Sequence, residues 1–324
     1  MAATIEPLPV EADVIATADD GASIDERITS YTASIASSVV DYPVEYGRRF
    51  HAFRRGTYMM PNDDLEIGRL DVAHAMVVRA IGNRLYLAPL EKEKVHKILD
   101  VGTGTGIFAK TQQILGTDLS AIQPSWVPPN VKFEIDDVES PWIEDKKYDY
   151  IFVRHMLISI ADWPRLVKNV FDHLKPGGWA EFQDMDVQYY SDDGTYTEDH
   201  QTRKWNKDLV RACEMIGRTG RPGPQLKGWI TDAGFQQVTH QRFKCPMGPW
   251  PKDPHYKEVG MLNLIQLLDG LEGFSLKLCC DVLGQSREEV LARLKKVREE
   301  LKDPSMHAIF DHHVVYGQKP ENSN

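Results

Sequence analysis

Short apolar segments alternate with longer amphipathic segments along most of the chain. Apolar runs of strand length, or runs in which apolar and polar residues alternate, predict strands over residues 94–101, 113–118, 131–136, 148–153, 179–185, 235–243 and 309–320. Amphipathic patterns predict helices over residues 63–85, 163–174, 198–217, 224–233 and 286–301. Strands that alternate with helices are typical of a parallel, doubly wound α/β sheet, whose ligands bind beyond the carboxyl ends of the strands.

Composition narrows the classes of function. The formal net charge of -10 over 324 residues disfavours nucleic acid, which is held by Lys and Arg at its phosphates. No run of about 18 apolar residues occurs, so we expect no membrane span. The four cysteines form no C-x-x-C pair, and the first residues lack the features of a secretory signal. We therefore expect reduced thiols and a cytoplasmic location, with the nucleus as an alternative.

A glycine-rich loop directly follows the first of these strands. Asp100, Gly102, Gly104 and Gly106 form the pattern D-x-G-x-G-x-G, and Asp118 ends the next predicted strand. A P-loop would end in Gly-Lys-Ser/Thr, and a dinucleotide loop would read G-x-G-x-x-G; this loop has neither pattern. Glycines let the backbone approach a ligand closely, and acids at strand ends suit an ammonium group and ribose hydroxyls. The alternative is a tight turn that only joins a strand to a helix.

The loop resembles motif I of class I S-adenosylmethionine-dependent methyltransferases. Other segments are similar to the fungal LaeA-like methyltransferases, among them "LISIADWPRL", "HLKPGGWAEFQD" and "GPWPKDPHYKEVG". The similarity extends from about residue 30 to residue 320. It implies a seven-stranded, Rossmann-like fold with an N-terminal helical lid and an insertion before the last strand. It also implies methyl transfer from S-adenosyl-L-methionine.

The resemblance also implies which residues bind the cofactor. Asp118 would accept hydrogen bonds from the ribose, and Asp137 with Val138 would contact the adenine. Asp136 is the alternative for the adenine in another register, and a solvated loop is the alternative for both acids. The complete predicted set is Asp100, Gly102, Thr103, Gly104, Gly106, Asp118, Leu119, Asp136, Asp137, Val138, Arg154, Tyr46 and Tyr58.

Arg154 and His155 match the end of the fourth core strand, which in the family faces the transferred methyl group. His155 is the first candidate for the base that takes the acceptor proton, because histidine titrates near neutral pH. His51 in the lid is the second candidate base. A structural histidine is the alternative for His155. His312 and His313 are neighbours on a strand and would face opposite sides, so we predict no metal site.

The connection between the glycine loop and the second core strand is shorter than the family usually has. It offers "IFAKTQQIL", of which seven residues in a helix would span about 10 Å. A parallel crossover normally needs a dozen or more residues. The sequence therefore predicts either a helix of one or two turns or a shortened strand, and a weakened cofactor site.

Five segments follow from these patterns. They are a disordered tail (1–30), an N-terminal lid and helix (31–90), a cofactor-binding core (91–244), a substrate-side insertion (245–303), and the last strand with its tail (304–324). Aromatic and arginine side chains favour a lid over residues 31–60, with an ordinary packing arm as the alternative. The apolar insertion favours a pocket for a small aromatic or polyketide-like acceptor, unless it only closes the core.

The leading functional hypothesis is a small-molecule O- or N-methyltransferase of secondary metabolism. A regulatory subunit that binds velvet-type proteins is the second hypothesis, because the LaeA-like family includes such a regulator. A pseudo-enzyme with an impaired cofactor site is the third. A homodimer is left open.

Overall fold

The computed structural model describes residues 40–322 except residues 55, 57, 107–112, 125 and 144. The predicted tail over residues 1–30 lies outside the described residues. So does most of the predicted short helix after the glycine loop. Within the described part of the chain, no helix combines the length and the apolar character needed to cross a bilayer.

Seven strands form one sheet. Its strands are β3 (Lys97–Val101), β4 (Gln113–Asp118), β5 (Val131–Ile135), β6 (Tyr148–Arg154), β7 (Leu174–Tyr190), β8 (Gln236–Pro246) and β9 (Ile309–Gln318), and they follow a short hairpin of β1 (Val44–Glu45) and β2 (Arg48–Arg49). The order across the sheet is β5-β4-β3-β6-β7-β9-β8. Strands β3 to β7 pair in parallel, whereas β9 is antiparallel to both of its neighbours. The predicted seven-stranded, doubly wound fold is confirmed.

Helices flank this sheet and connect its strands. They are α1 (Asp64–Ala80), α2 (Trp163–His173), α3 (Gln201–Met215), α4 (Leu226–Asp232), α5 (Pro254–Leu276) and α6 (Arg287–Leu301), and a π-helical turn (Lys277–Val282) follows α5. Asp63 caps α1 by accepting a hydrogen bond from the Glu66 amide at 3.0 Å. Ser286 and Glu289 form a capping box at the start of α6. These side chains satisfy amide groups that have no partner within the helix, and so define where each helix begins.

The longest helix, α5, is the main element that the hydrophobic pattern did not predict. Its buried positions include Gly260, Asn263, Gln266 and Gly273 besides apolar residues, so an apolar stripe on one face is absent. Asn263 donates to the Pro246 carbonyl at 2.7 Å and accepts from Gln266 at 2.7 Å. Polar residues at buried positions interrupt the apolar periodicity from which a helix is predicted, so this helix could not be recognised from hydrophobicity alone.

Two apolar layers cover the two faces of the sheet. On β6, Ile151 and Val153 pack in the same cluster as α2 and α4, whereas Tyr150 and Phe152 lie in a different cluster. This alternation is the two-residue period of a strand that is buried on both faces. Because β3, β4, β5 and β6 run parallel, their carboxyl ends lie side by side at one edge of the sheet.

Candidate functional site

The glycine loop leaves β3 in a conformation that suits glycine. The φ angles of Gly102, Gly104 and Gly106 are 67°, 57° and 76°, in the left-handed region that other residues rarely adopt. Thr103 donates from its hydroxyl to Asp100 at 2.6 Å. Asp100 is buried, and this burial raises its pKa to about 6. The loop is therefore fixed to the strand end by a buried acid.

The three glycines differ in what a side chain would meet. A Cβ on Gly102 would clash with the Met156 side chain, and one on Gly106 would clash with the Phe133 ring. A Cβ on Gly104 would meet no atom within 4 Å among the described residues. The first two glycines allow close packing, whereas Gly104 borders open space that a ligand can fill. The loop thus fits the cofactor that the sequence predicts.

Asp118, at the end of β4, connects its own strand with the glycine loop. Its carboxylate accepts from the Gly104 amide at 2.8 Å and from the Ser120 amide at 3.0 Å. Burial raises the pKa of Asp118 to about 6. Leu119 is half-buried directly after it. The predicted ribose acid therefore lies beside the loop, as expected for parallel strands that end at one edge.

The two acids after β5 have different environments. Asp137 forms an ion pair with Arg54 at 2.9 Å and accepts from the Glu139 amide at 2.9 Å. Asp136 is exposed, and its carboxylate accepts from the Asp137 amide at 2.8 Å. Val138 is buried. Which acid binds the adenine stays a prediction, with Asp136 and Asp137 as the two alternatives.

The segment before α1 and α1 itself contact the loops at this edge. Asn62 donates to the Ser120 hydroxyl at 3.2 Å, just after β4. The Thr105 hydroxyl in the glycine loop donates to Asp71 in α1 at 3.2 Å. With the Arg54 ion pair after β5, these contacts reach the ends of three adjacent strands. Their position is compatible with the predicted lid.

Three predicted residues of this segment lie in different places. Tyr46 donates its hydroxyl to Asp281 in the π-helical turn, so no described contact brings it to the glycine loop. His51 is 2% exposed, and one ring nitrogen lies 3.3 Å from the Arg54 carbonyl. Tyr58 packs against the His51 ring, with centroids 6.0 Å apart. The roles predicted for Tyr46 and His51 stay predictions.

Arg154, the last residue of β6, connects the sheet with α1. Its Nη2 lies 2.7 Å from Nδ1 of His74. Burial and the charge of Arg154 lower the pKa of His74 to about 4, so His74 is neutral and accepts this hydrogen bond. Burial lowers the pKa of Arg154, and the negative charge of nearby Asp100 opposes this shift. Arg154 thus lies near the buried acid of the glycine loop.

His155 follows β6 in a left-handed backbone conformation, with φ of 55°. Its amide donates to the Gln183 carbonyl at 3.0 Å, and its ring meets the His312 ring edge-on, with centroids 5.7 Å apart. The buried Nε2 of His155 has no hydrogen-bond partner among the described residues. Burial, followed by the neighbouring His312 and Arg154, lowers the pKa of His155 well below its ordinary value. His155 is therefore a neutral imidazole at neutral pH.

A cavity of about 140 Å³ adjoins His155. It is also close to the glycine loop, since Met156 packs on Gly102 and the next residue, Leu157, lines the cavity. Most of its wall is apolar. The lining residues are Tyr58, Met60, Arg69, Leu70, His155, Leu157, Ile158, Met185, Val187, Tyr189, Trp205, Asn206, Leu209, Cys213, Gln266, Leu267, Phe274, Leu278 and Phe310. Residues from the lid segment, β7, α3 and α5 thus meet at one pocket.

Sequence reasoning missed Asp184, which holds the turn that carries His155. Asp184 is 1% exposed, and its carboxylate accepts from the amides of Met156 at 2.8 Å and Met185 at 2.9 Å. Burial raises its pKa to about 7. In the sequence Asp184 is one of several polar residues of β7, beside Gln183 and Asp186, and this pattern does not distinguish a structural acid from a catalytic one.

We expect the Asp184→Asn variant to gain stability relative to the wild type as pH rises from about 4 to about 7. The ordinary pKa of 3.8 is raised to about 7 in the folded protein, so the unfolded chain loses this proton first. The wild type therefore loses stability at this group with rising pH, whereas asparagine does not titrate. Urea unfolding at both pH values measures the difference.

The matched control is Asp193→Asn. A hydrogen bond with His307 lowers the pKa of Asp193 to about 2, so its replacement should change the pH dependence of stability only below about pH 4. A stability difference for Asp184→Asn that is equal at both pH values would show that this carboxyl titrates normally.

Comparison with known proteins places this geometry in a family. A methyltransferase domain matches residues 72–241. Methyltransferase pytC of Aspergillus terreus is 45% identical over 299 residues, which cover 90% of this chain and 92% of the relative. The secondary metabolism regulator LAE1 of Cochliobolus heterostrophus is 34% identical over 291 residues, which cover 86% of this chain and 95% of the relative. Phosphoethanolamine N-methyltransferase 2 of Haemonchus contortus, solved with S-adenosyl-L-methionine, aligns at a TM-score of 0.43 and 17% identity over 78% of this chain and 52% of that one.

The matched domain contains the glycine loop, strands β3 to β7 and His155. The relatives align over nearly the whole of this chain and of their own. The LaeA-like resemblance predicted from the sequence is confirmed. The chain belongs to the methyltransferase domain family, together with fungal methyltransferases and regulators of secondary metabolism.

Proposed function

We propose that the chain transfers a methyl group from S-adenosyl-L-methionine to a hydroxyl or amine of a small molecule of secondary metabolism. The observation that supports this most is the space at Gly104, where a Cβ would meet no atom of the described residues within 4 Å. That space borders a loop held by Asp100 and Asp118 and lies near a largely apolar cavity. A transfer between two substrates needs a donor site and an acceptor site that lie near each other.

The cofactor would be held by the ends of three strands. Gly104 and its neighbours would leave room for the cofactor, and Asp100 would suit the ammonium group of its methionine part. Asp118 has accepted one amide hydrogen on each carboxylate oxygen, and each oxygen has a further lone pair for a ribose hydroxyl. Asp136 or Asp137 would bind the adenine amino group.

The bound cofactor supplies a methyl group on a positively charged sulfur, which leaves as a neutral thioether. The protein then has three tasks: to align the acceptor, to exclude water and to remove a proton. The predicted lid segment contacts the loops at the carboxyl edge through Asn62 and Arg54, and as a lid it would limit access of water. His155 is neutral and lines the acceptor cavity, so it is able to take the proton.

A regulatory role is the second candidate, because the relative LAE1 is named as a regulator at 34% identity. The 45% identity to a protein named as a methyltransferase favours the enzyme. A velvet-type protein partner belongs to the regulatory alternative alone.

Equilibrium dialysis with radiolabelled S-adenosylmethionine should show one cofactor bound per chain. Incubation of the protein with this label and an extract of small fungal metabolites should yield a labelled product that organic solvent extracts. The absence of binding would contradict the proposal and support the pseudo-enzyme. Binding with label transferred only to protein would contradict a small-molecule acceptor.

A further inference from the structure

The cavity beside His155 has the size of a single ring. Its volume is about 140 Å³, and an apolar protein cavity of about 150 Å³ accommodates a benzene molecule. Aromatic side chains such as Trp205, Phe274 and Phe310 contribute to its wall. A planar ring would therefore fill the cavity, and the rest of a larger acceptor would have to stay outside it.

The cavity has no countercharge to offer to an ionised acceptor. Arg69 is the one charged side chain among the described lining residues, and it forms an ion pair with Glu66 at 2.6 Å. Arg69 also donates to Gln266 at 2.9 Å and lies over the Phe274 ring. The side chains of the pair are only 10% and 3% exposed. A carboxylate or an ammonium group in this cavity would thus be a buried charge without a partner, which is costly.

Several polar side chains of the wall are already engaged within the protein. Asn206 donates to the Val187 carbonyl at 2.6 Å, and Trp205 donates to the Ser275 hydroxyl at 2.7 Å. The other polar groups are uncharged, namely the imidazole of His155, the amide of Gln266, the thiol of Cys213 and the hydroxyls of Tyr58 and Tyr189. Such groups suit a neutral ligand with one hydrogen-bonding function.

We propose that the acceptor enters this cavity as an uncharged ring bearing a phenolic or enolic hydroxyl, and that the methyl group goes to that oxygen. This inference rests on the proposed function and narrows it from hydroxyl or amine to ring hydroxyl. The acceptor oxygen forms a bond to the methyl carbon while the carbon–sulfur bond breaks, and the electron pair of that bond stays on sulfur. His155 takes the hydroxyl proton.

The weak basicity of His155 agrees with this acceptor class. Burial lowers its pKa well below the ordinary value, so it is a poor base for an aliphatic alcohol. A phenol, with an ordinary pKa of about 10, needs far less help to lose its proton. An aliphatic amine would carry a positive charge at neutral pH and would enter beside Arg69.

Ligand-observed NMR with three ring-sized probes tests the inference: phenol, benzoate and benzylammonium. We expect phenol to bind to the wild type at a dissociation constant on the order of 1 mM and the two charged probes at least about tenfold more weakly. Leu209→Trp, which fills the cavity, should weaken phenol binding at least about tenfold. Leu65→Trp on the exposed face of α1 is the matched control and should bind phenol like the wild type.

Three results would overturn the inference. They are no phenol binding to the wild type, a charged probe that binds as tightly as phenol, and phenol binding that survives cavity filling. If Leu209→Trp does not fold, Val187→Phe fills the same cavity from β7 and takes its place. Calorimetry with S-adenosylmethionine on the same samples, without the ring probes, separates failure of this inference from failure of the proposed function. Cofactor binding without phenol binding would overturn the inference alone, whereas loss of cofactor binding would contradict the proposed function.

Discussion

Replacing Gly104 by valine is expected to lower the affinity for S-adenosylmethionine at least about a hundredfold, which is about 3 kcal/mol. The φ angle of 57° strains a β-branched residue. The new side chain would also occupy the open space in front of the loop, where no described atom lies within 4 Å of a Cβ. Isothermal titration calorimetry measures the change.

Gly194→Val separates strain from occupancy. Gly194 also has a positive φ, 78°, and a Cβ there would likewise meet no described atom within 4 Å. Gly194 lies in the segment after β7, about 90 residues from the glycine loop in the sequence. The control should keep wild-type affinity. Equal affinity of Gly104→Val and the wild type would show that the cofactor does not bind at this loop.

Removal of the His155 side chain is expected to lower turnover roughly 10²–10⁴-fold, the usual effect of losing a general base. Cofactor affinity should stay nearly unchanged, because His155 lies on the cavity side of Met156. The measurement is kcat for His155→Ala with the acceptor that the extract experiment identifies, beside a calorimetric titration with the cofactor.

The pH profile tests the same role in the wild type. A base acts when it is neutral, that is, above its pKa, and the pKa of His155 lies well below 6.5. Titration of His155 should therefore leave turnover unchanged above pH 6.5 and should lower it only at clearly more acidic pH. His51→Ala is the comparison variant, since His51 is the second candidate base. A small loss in His155→Ala, with an unchanged profile, would mean that alignment alone carries the reaction.

The alternation of strands and helices predicted a parallel, doubly wound sheet, because apolar runs such as "YDYIFV" stand out in the sequence. The number of seven strands came from the resemblance to the family. Helix α5 did not stand out. Its buried Asn263 and Gln266 are satisfied by hydrogen bonds to each other, to Pro246 and to Arg69, so their burial has no signature in hydrophobicity. A single sequence contains no direct information on such long-range pairing.

The candidate site likewise contains residues that local sequence predicts and residues that only tertiary contacts bring into place. Asp100 and Asp118 were predicted because a strand and a glycine loop fix their positions locally, and the structure brings both to the loop. Tyr46 was assigned to the cofactor as part of an aromatic segment, but its hydroxyl binds Asp281, 235 residues away in the chain. Asp184 and the wall of the cavity also depend on tertiary contacts. The short connection predicted to weaken the site falls on residues 107–112, outside the described residues.

The position of β9 has a consequence for folding during synthesis. Strand β9 lies between β7 and β8, yet residues 247–308 are translated before it begins. Until then β7 and β8 each present an unpaired edge of amide and carbonyl groups, which is a template for aggregation. His312, the neighbour of His155, arrives with the same strand. A nascent chain stalled inside this interval would contain the glycine loop but an incomplete sheet. We therefore expect the methyltransferase fold to form only after β9 has been synthesised and has inserted between β7 and β8.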